Sequence, residues 1–435
     1  MKIAVLGLGV GHDLSCAIAE VGYDVVGIDT NESVVKNPRV DGSLKTLLDK
    51  KSDYIEKHLK LTSKYDAISQ CDIVIVCVST GDERQLLLGH VEDAVRASLR
   101  QLKQSGKRAT ILVYSTLPFE ASKRIRTIFC EEGVEMDKQV SYCYMPLMIA
   151  QGTTATDFVN PPFIAFGAYS TEVSENMQSF YIDFIKRSCL FKGKVPPHYV
   201  TTPEIAELSK LVANAFLSTK ISYANMVAKF CEACNLNGKQ LLEIIGSDWR
   251  IGKTMLRPGY AFGGACFPRD LESLIASFRT SAVPCQILEA TRQVNVERTS
   301  DPASILSKLP VKRVLILGTA YKAGISDTRG SPSLSLAQIL QQKGYTVTTF
   351  DPNLDQVANF RKLVTQTDIV IVTTNEPIFA SIDKYLPGSS VKAVVDLASI
   401  PGLDSSIELG VQLFKAGIGW VSSKSNSAAI DMPQS

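Results

Sequence analysis

The sequence predicts an α/β protein with an N-terminal Rossmann dinucleotide-binding domain, a central helical region that links and dimerises, and a C-terminal Rossmann-like α/β domain. Three observations predict it. An apolar run ends in Gly7-Leu8-Gly9-Val10-Gly11, a helical pattern follows, and a second apolar run closes on Asp29, 22 residues after Gly7. The stretches 71–78 and 109–116 are near-continuous β-rich runs, the mark of parallel strands covered on both faces. From about Pro302 the alternation of strand and helix begins again.

Composition bounds the rest. With 435 residues, 45% of them apolar, the chain can build two or three cores. The expected divisions are 1–200, 201–299 and 300–421, followed by a polar tail, 422–435, expected to be disordered. A net charge of +2 argues against a nucleic-acid or membrane-surface partner, and no run is long enough to span a bilayer. The apolar start reads as a buried strand, since glycines follow it and no small-residue cleavage site is present, so a cytoplasmic protein is expected. Ten cysteines are scattered along the chain, and the one CxxC pair, Cys231 and Cys234, lies in a helical pattern with no second pair. Core thiols are therefore expected, with no metal site.

Taken in order, the first turn carries the first chemistry. Gly7, Gly9, Val10 and Gly11 would let a pyrophosphate approach a helix N-terminus, while Asp29 would accept hydrogen bonds from the adenosine ribose, favouring NAD over NADP. The next two strands end in Ser79-Thr80 and Ser115-Thr116, at the edge where open α/β sheets bind ligands. Such hydroxyls either touch a cofactor or cap a helix.

A long helical pattern begins near Pro203 and puts Glu207, Lys210, Asn214 and Leu217 at helical spacing, with Lys210 and Asn214 one turn apart. Its apolar positions, among them Leu211, Ala215, Ile221 and Met226, exceed what one domain core needs, which points to a partner subunit. Downstream, Phe262-Gly263-Gly264-Ala265-Cys266-Phe267-Pro268-Arg269-Asp270 places one cysteine between a glycine turn and a helix start. The helix dipole and the neighbouring Arg269 would favour thiolate over thiol, which a nucleophile needs. The second α/β segment lacks the dinucleotide glycines and is not expected to bind another NAD.

These segments, from residue 2 to about 400, resemble in content and order the nucleotide-sugar 6-dehydrogenases, the family of UDP-glucose and GDP-mannose dehydrogenases. The cysteine segment is similar to the family's G-F-G-G-x-C-x-P-K-D run, with Ala261 in place of a frequent glycine and Arg269 in place of lysine. Residues 206–217 resemble its A-E-x-x-K-x-x-x-N-x-F-L helix, Arg250-Ile251-Gly252 its R-I-G, and 320–332 its A-F-K-x-x-T-D-D-x-R-x-S-P loop. The resemblance implies a C6 oxidation by NAD through a thiohemiacetal and a thioester. It assigns catalytic roles to Cys266, Lys210, Asn214, Asp270 and Thr116, cofactor contact to Arg329, Ser79, Thr80, Ser115 and Thr116, and substrate contact to Met148, Ile149, Phe262, Gly263, Lys322 and Arg250, the last in a partner's site. UDP-glucose stands ahead of GDP-mannose, and a divergent nucleotide-sugar binder or a 2-hydroxy-acid dehydrogenase are the other readings. One departure matters, because the family's N-P-E-F-L-x-E carboxylates are replaced by Leu147 and Gln151. Slow or rerouted thioester hydrolysis is expected, and Leu147→Glu is expected to speed it.

Overall fold

A computed structural model describes residues 1–40, 42–81 and 85–421; the tail expected over 422–435 lies outside the described residues. The chain groups into two compact units. The first is Met1–Ala213 with Glu272–Ser281, and the second is Asn214–Leu271 with the chain from Ala282 onward. The central segment 201–299 is thus shared between them.

The first unit holds strands β1 (Lys2–Leu6), β2 (Asp24–Ile28), β3 (Leu59–Thr62), β4 (Ile73–Val76), β5 (Ala109–Val113), β6 (Val140–Tyr144), β7 (Ile164–Gly167) and β8 (His198–Thr201). They form one sheet in the order β3-β2-β1-β4-β5-β6-β7-β8. All neighbours are parallel except β6 and β7. Period-two alternation sends Ile3 and Val5 into one buried layer with Leu14 and Ile18, and Ala4 and Leu6 into the other with Val74 and Leu99. Both faces are covered, which is why these strands read as unbroken apolar runs. Strand β8 follows Pro196-Pro197, where the sequence marks the domain's end. Its four residues are mostly exposed, so apolar patterning could not reveal it.

In the second unit, β9 (Arg313–Leu317), β10 (Thr346–Phe350), β11 (Ile369–Val372), β12 (Ala393–Asp396), β13 (Gln412–Lys415) and β14 (Gly419–Val421) form a sheet ordered β10-β9-β11-β12-β13-β14. Only β14 runs antiparallel. Val314 and Ile316 face one core and Leu315 and Leu317 the other, so this sheet too is buried on both sides. In each sheet the strand order reverses beside the first strand, β1 against β4 and β9 against β11. Crevices at such switch points are where doubly wound sheets take ligands.

The 31-residue helix Pro203–Ala233 buries Leu211, Ala215, Ala224 and Ala228 within the protein and leaves Phe216, Tyr223, Met226 and Phe230 exposed. Of the apolar positions expected to meet a partner, Leu211 and Ala215 are corrected, since the chain covers them itself, whereas Met226 is exposed as expected. The outward stripe of Phe216, Tyr223, Met226 and Phe230 steps by seven, three and four residues, the heptad spacing of a coiled-coil seam. Among the described residues, no helix is long and apolar enough to cross a membrane.

Candidate functional site

In the first unit the glycine turn sits at the switch point. Gly7 has φ +89°, and its amide donates to the Ile28 carbonyl at 2.8 Å. A Cβ there would stand 2.8 Å from the carbonyl oxygen of Cys77 at the end of β4, so only glycine lets the turn pass so close. A Cβ on Gly11 would meet Val5 at 3.0 Å, whereas one on Gly9 would meet nothing within 4 Å. Gly9 thus borders open space. The helix Gly11–Ala19 begins there behind Val10, an N-cap residue whose side chain makes no capping hydrogen bond. Open space before an uncapped helix start suits a pyrophosphate.

Asp29 is held for the partner role. Its Oδ2 accepts the Leu8 amide at 2.8 Å and its Oδ1 accepts the Asn31 amide at 2.9 Å. Each oxygen keeps acceptor capacity for a ribose hydroxyl. These residues fit a dinucleotide.

The strand-end hydroxyls are not helix caps. The helix after β4 starts at Gly89 behind Leu88, and the one after β5, Ala121–Glu131, starts behind Glu120. Ser115 is buried and donates to the Val78 carbonyl at 2.7 Å, tying the ends of β4 and β5 together. Thr80 is buried, Ser79 exposed and Thr116 half-buried beside them.

The helix bearing Lys210 is anchored by a residue whose role the sequence did not reveal. Glu207 is fully buried, and its carboxylate accepts the Glu120 amide at 2.8 Å, the Ser122 amide at 2.7 Å and the Ser122 hydroxyl at 2.5 Å. It sits on the N-terminus of the helix that follows the Thr116 loop. Burial pushes its carboxyl up to about 7, against the pull of those donors. Lys210, one turn further along, is also buried.

Leu147 packs in the apolar core with Met145, Phe158 and Tyr181. Met148 and Ile149 are half-buried and, with Leu147, line a cavity of about 10 Å³, room for one water at most.

In the second unit Cys266 is exposed and stands at the N-cap of the helix Phe267–Thr280, its carbonyl accepting the Asp270 amide at 2.8 Å. Asp270 is fully buried. Its Oδ2 accepts the Asn214 amide at 2.6 Å, and its Oδ1 accepts Arg269 Nε at 3.1 Å and Nη2 at 3.0 Å. The expected role of Arg269 is therefore corrected, because its guanidinium is committed to Asp270. A cation within electrostatic reach of Cys266 is Arg329, whose own ionisation is held up by Asp327 first and by the cysteine as well. A positive charge there stabilises negative charge developing on sulfur.

Glycines bring that cation's loop in. Gly264 has φ +85°, and a Cβ on it would lie 2.8 Å from the Tyr321 ring; one on Gly263 would lie 2.3 Å from the Gly330 carbonyl oxygen. Residues missed in the sequence hold the other side of the cysteine loop. Asn225 accepts the Gly259 amide and donates to the Tyr260 carbonyl, Arg298 donates to the Gly259 carbonyl, and Asn295 brackets Phe262 through both its amide and its carbonyl. On helices these look like ordinary polar positions, and no local spacing marks them. Lys322 lies exposed on the loop, and Arg250, 73% exposed in its side chain, pairs with Asp248.

Comparison with known proteins agrees along the whole chain. Three domain models of the UDP-glucose/GDP-mannose dehydrogenase family match it: the NAD binding domain over residues 1–185, the central domain over 204–297 and the UDP binding domain over 315–400. A UDP-glucose 6-dehydrogenase of Haloferax volcanii is 28% identical over 91% of this chain and 96% of its own. A GDP-mannose 6-dehydrogenase of Pseudomonas syringae pv. tomato is 24% identical over the same shares. The solved UDP-glucose dehydrogenase of Pyrobaculum islandicum superposes with a TM-score of 0.82 at 26% identity, covering 97% of this chain and 98% of that one.

Proposed function

This chain belongs to the UDP-glucose/GDP-mannose dehydrogenase family and is a nucleotide-sugar 6-dehydrogenase that uses NAD, and from that premise we propose that it oxidises the C6 hydroxyl of UDP-glucose by four electrons to UDP-glucuronate through Cys266. The observation that carries this reading is the exposed Cys266 thiol at a helix N-terminus with Arg329 in electrostatic reach. NAD, when bound, supplies the hydride acceptor for each of two oxidations. Lys210 and Asn214 stabilise the negative oxygen at C6 while the alcohol becomes an aldehyde. The Cys266 sulfur then adds to the aldehyde carbon, forming a C–S bond. Loss of the second hydride leaves a thioester, and water cleaves the C–S bond to release the uronate and return the thiolate.

Two features support UDP-glucose ahead of GDP-mannose: the Arg250-Ile251-Gly252 segment, and the higher identity to the Haloferax volcanii protein. Asp29 supports NAD over NADP, since a 2′-phosphate beside it would meet like charge and the next residues, Thr30-Asn31-Glu32, offer no arginine. A panel of UDP-glucose, GDP-mannose and UDP-N-acetylmannosamine, each with NAD or NADP, tests both. NADH absorbance and a product heavier by one oxygen and lighter by two hydrogens are expected with UDP-glucose and NAD. Equal kcat/KM with NADP would show the first domain misread, and turnover confined to another sugar would displace UDP-glucose.

The functional form is at least a dimer on this reading. The heptad stripe of Phe216, Tyr223, Met226 and Phe230, the first and last 64% exposed, suits a second copy of the same helix, and Arg250 would then serve the partner's substrate. In sedimentation, wild type should run as a dimer or larger, and Phe216→Asp with Phe230→Asp should give an inactive monomer. A fully active monomer would refute the shared site.

A further inference from the structure

We propose that Glu207 is a positioning residue that fixes the Thr116 loop to the helix carrying Lys210, so that its loss slows oxidation without weakening substrate binding. The inference rests on the reading above that Lys210 and Thr116 serve the C6 oxidation, and deepens it. A carboxylate with no exposed surface, aimed from one helix at the N-terminus of another, costs too much desolvation to be an incidental core residue unless its partners are well placed. They are well placed. Glu207 takes two main-chain amides of the first turn after the Thr116 loop, together with the Ser122 hydroxyl, and that hydroxyl is also 2.7 Å from the Tyr142 hydroxyl on β6. The amides at that helix start thereby gain an acceptor, since among the described residues no side chain caps it from the N-cap position. One side chain thus joins β6, the Thr116 loop and the Lys210 helix, and Lys210 lies three residues from the joint.

The charges around Glu207 set how it responds to pH. Glu204 on its own helix opposes its ionisation. Lys123 and Glu120 face it from the Ala121–Glu131 helix, Tyr142 from β6 and Tyr169 from the segment after β7, with Arg126 over the Tyr169 ring. Burial is the largest effect and lifts the carboxyl to about 7. Because the raised value belongs to the folded state, Glu207 is ionised above about pH 7 and takes up a proton as pH falls through it. Only the ionised form offers an acceptor to all three donors at once, so the rate of oxidation, read as the NADH burst, should fall on that acid side as the Thr116 loop loosens.

The test compares wild type with Glu207→Gln and Ser122→Ala, measuring the rate of the pre-steady-state NADH burst and its dependence on nucleotide-sugar concentration from pH 5.5 to 9, with melting temperature at each pH. In Glu207→Gln the amide nitrogen must face a main-chain N–H. We expect the burst rate to fall about 10- to 100-fold with the half-saturating sugar concentration little changed, and the acid limb near pH 7 to vanish. Ser122→Ala removes one donor to the carboxylate and should move that limb to higher pH. If Glu207→Gln does not fold, the shift in Ser122→Ala decides. A lowered melting temperature with a wild-type burst rate and an unmoved limb would make Glu207 merely structural and overturn the proposal. Absence of NADH formation by wild type with every sugar in the panel would overturn the functional reading and this inference together.

Discussion

Cys266→Ser should lose uronate formation by roughly 10⁴-fold or more while still binding NAD. The effect is large because two steps need sulfur. A serine hydroxyl at the same helix start is not ionised near neutral pH, and neither the dipole nor Arg329 can supply enough field to make it so. The hemiacetal it forms is fleeting, and the second oxidation has no covalent substrate to act on. NAD binding should persist, because Gly7, Gly9 and Asp29 belong to the first unit and Cys266 to the second. Titration with NAD by fluorescence and mass analysis of the products measure the two halves separately. Normal turnover by the serine variant would remove Cys266 from the nucleophile's role.

The two sheets were legible in the sequence where both faces of a strand are buried. In β1, β4, β5, β9 and β11 every residue or nearly every residue is apolar, so the run itself is the signal. Strands at the periphery gave less. His198–Thr201 is exposed along most of its length, and β14 is three residues long and antiparallel, so neither burial nor length marks them. The outward face of the Pro203–Ala233 helix was misassigned for a related reason. Aliphatic and aromatic residues surround that helix, and hydrophobicity alone does not say which side the chain covers for itself.

At the site, what could be read was whatever lies close together along the chain. The glycine turn, Asp29 and the cysteine at the start of a helix are local patterns with a physical reason for each residue. Contacts between remote segments were not readable: Arg329 near Cys266, and Asn225, Asn295 and Arg298 around the cysteine loop. Arg269 was given the cysteine as its partner because proximity in sequence does not weigh competing partners; the fully buried carboxylate of Asp270 takes the guanidinium instead.

The thioester step should be where this chain is slowest, with a nucleotide-uronyl group accumulating on Cys266. By the resemblance, Leu147 stands where the family carries a carboxylate, and a leucine can neither hold nor activate a water. Two candidates remain among the residues to which that resemblance gives catalytic roles. Asp270 has both oxygens engaged, one by Asn214 and the other by Arg269, and the Thr116 hydroxyl does not take a proton near neutral pH. Loss of a general base costs about 10²–10⁴-fold in a step. A rapid burst of NADH followed by a slow steady state is therefore expected on mixing with NAD and substrate, and intact-protein mass spectrometry during the slow phase should show an adduct that Cys266→Ser lacks. The structure also reverses the expected effect of Leu147→Glu. The leucine packs with Met145, Phe158 and Tyr181 in an apolar core, beside a cavity with space for a single water at most, so a carboxylate there would be taken out of water among mainly apolar side chains. That variant should lose several kcal/mol of stability and release the adduct no faster. Steady wild-type turnover with no detectable adduct would mean that another group activates water, and faster release by a folded Leu147→Glu would mean that this position reaches the thioester after all.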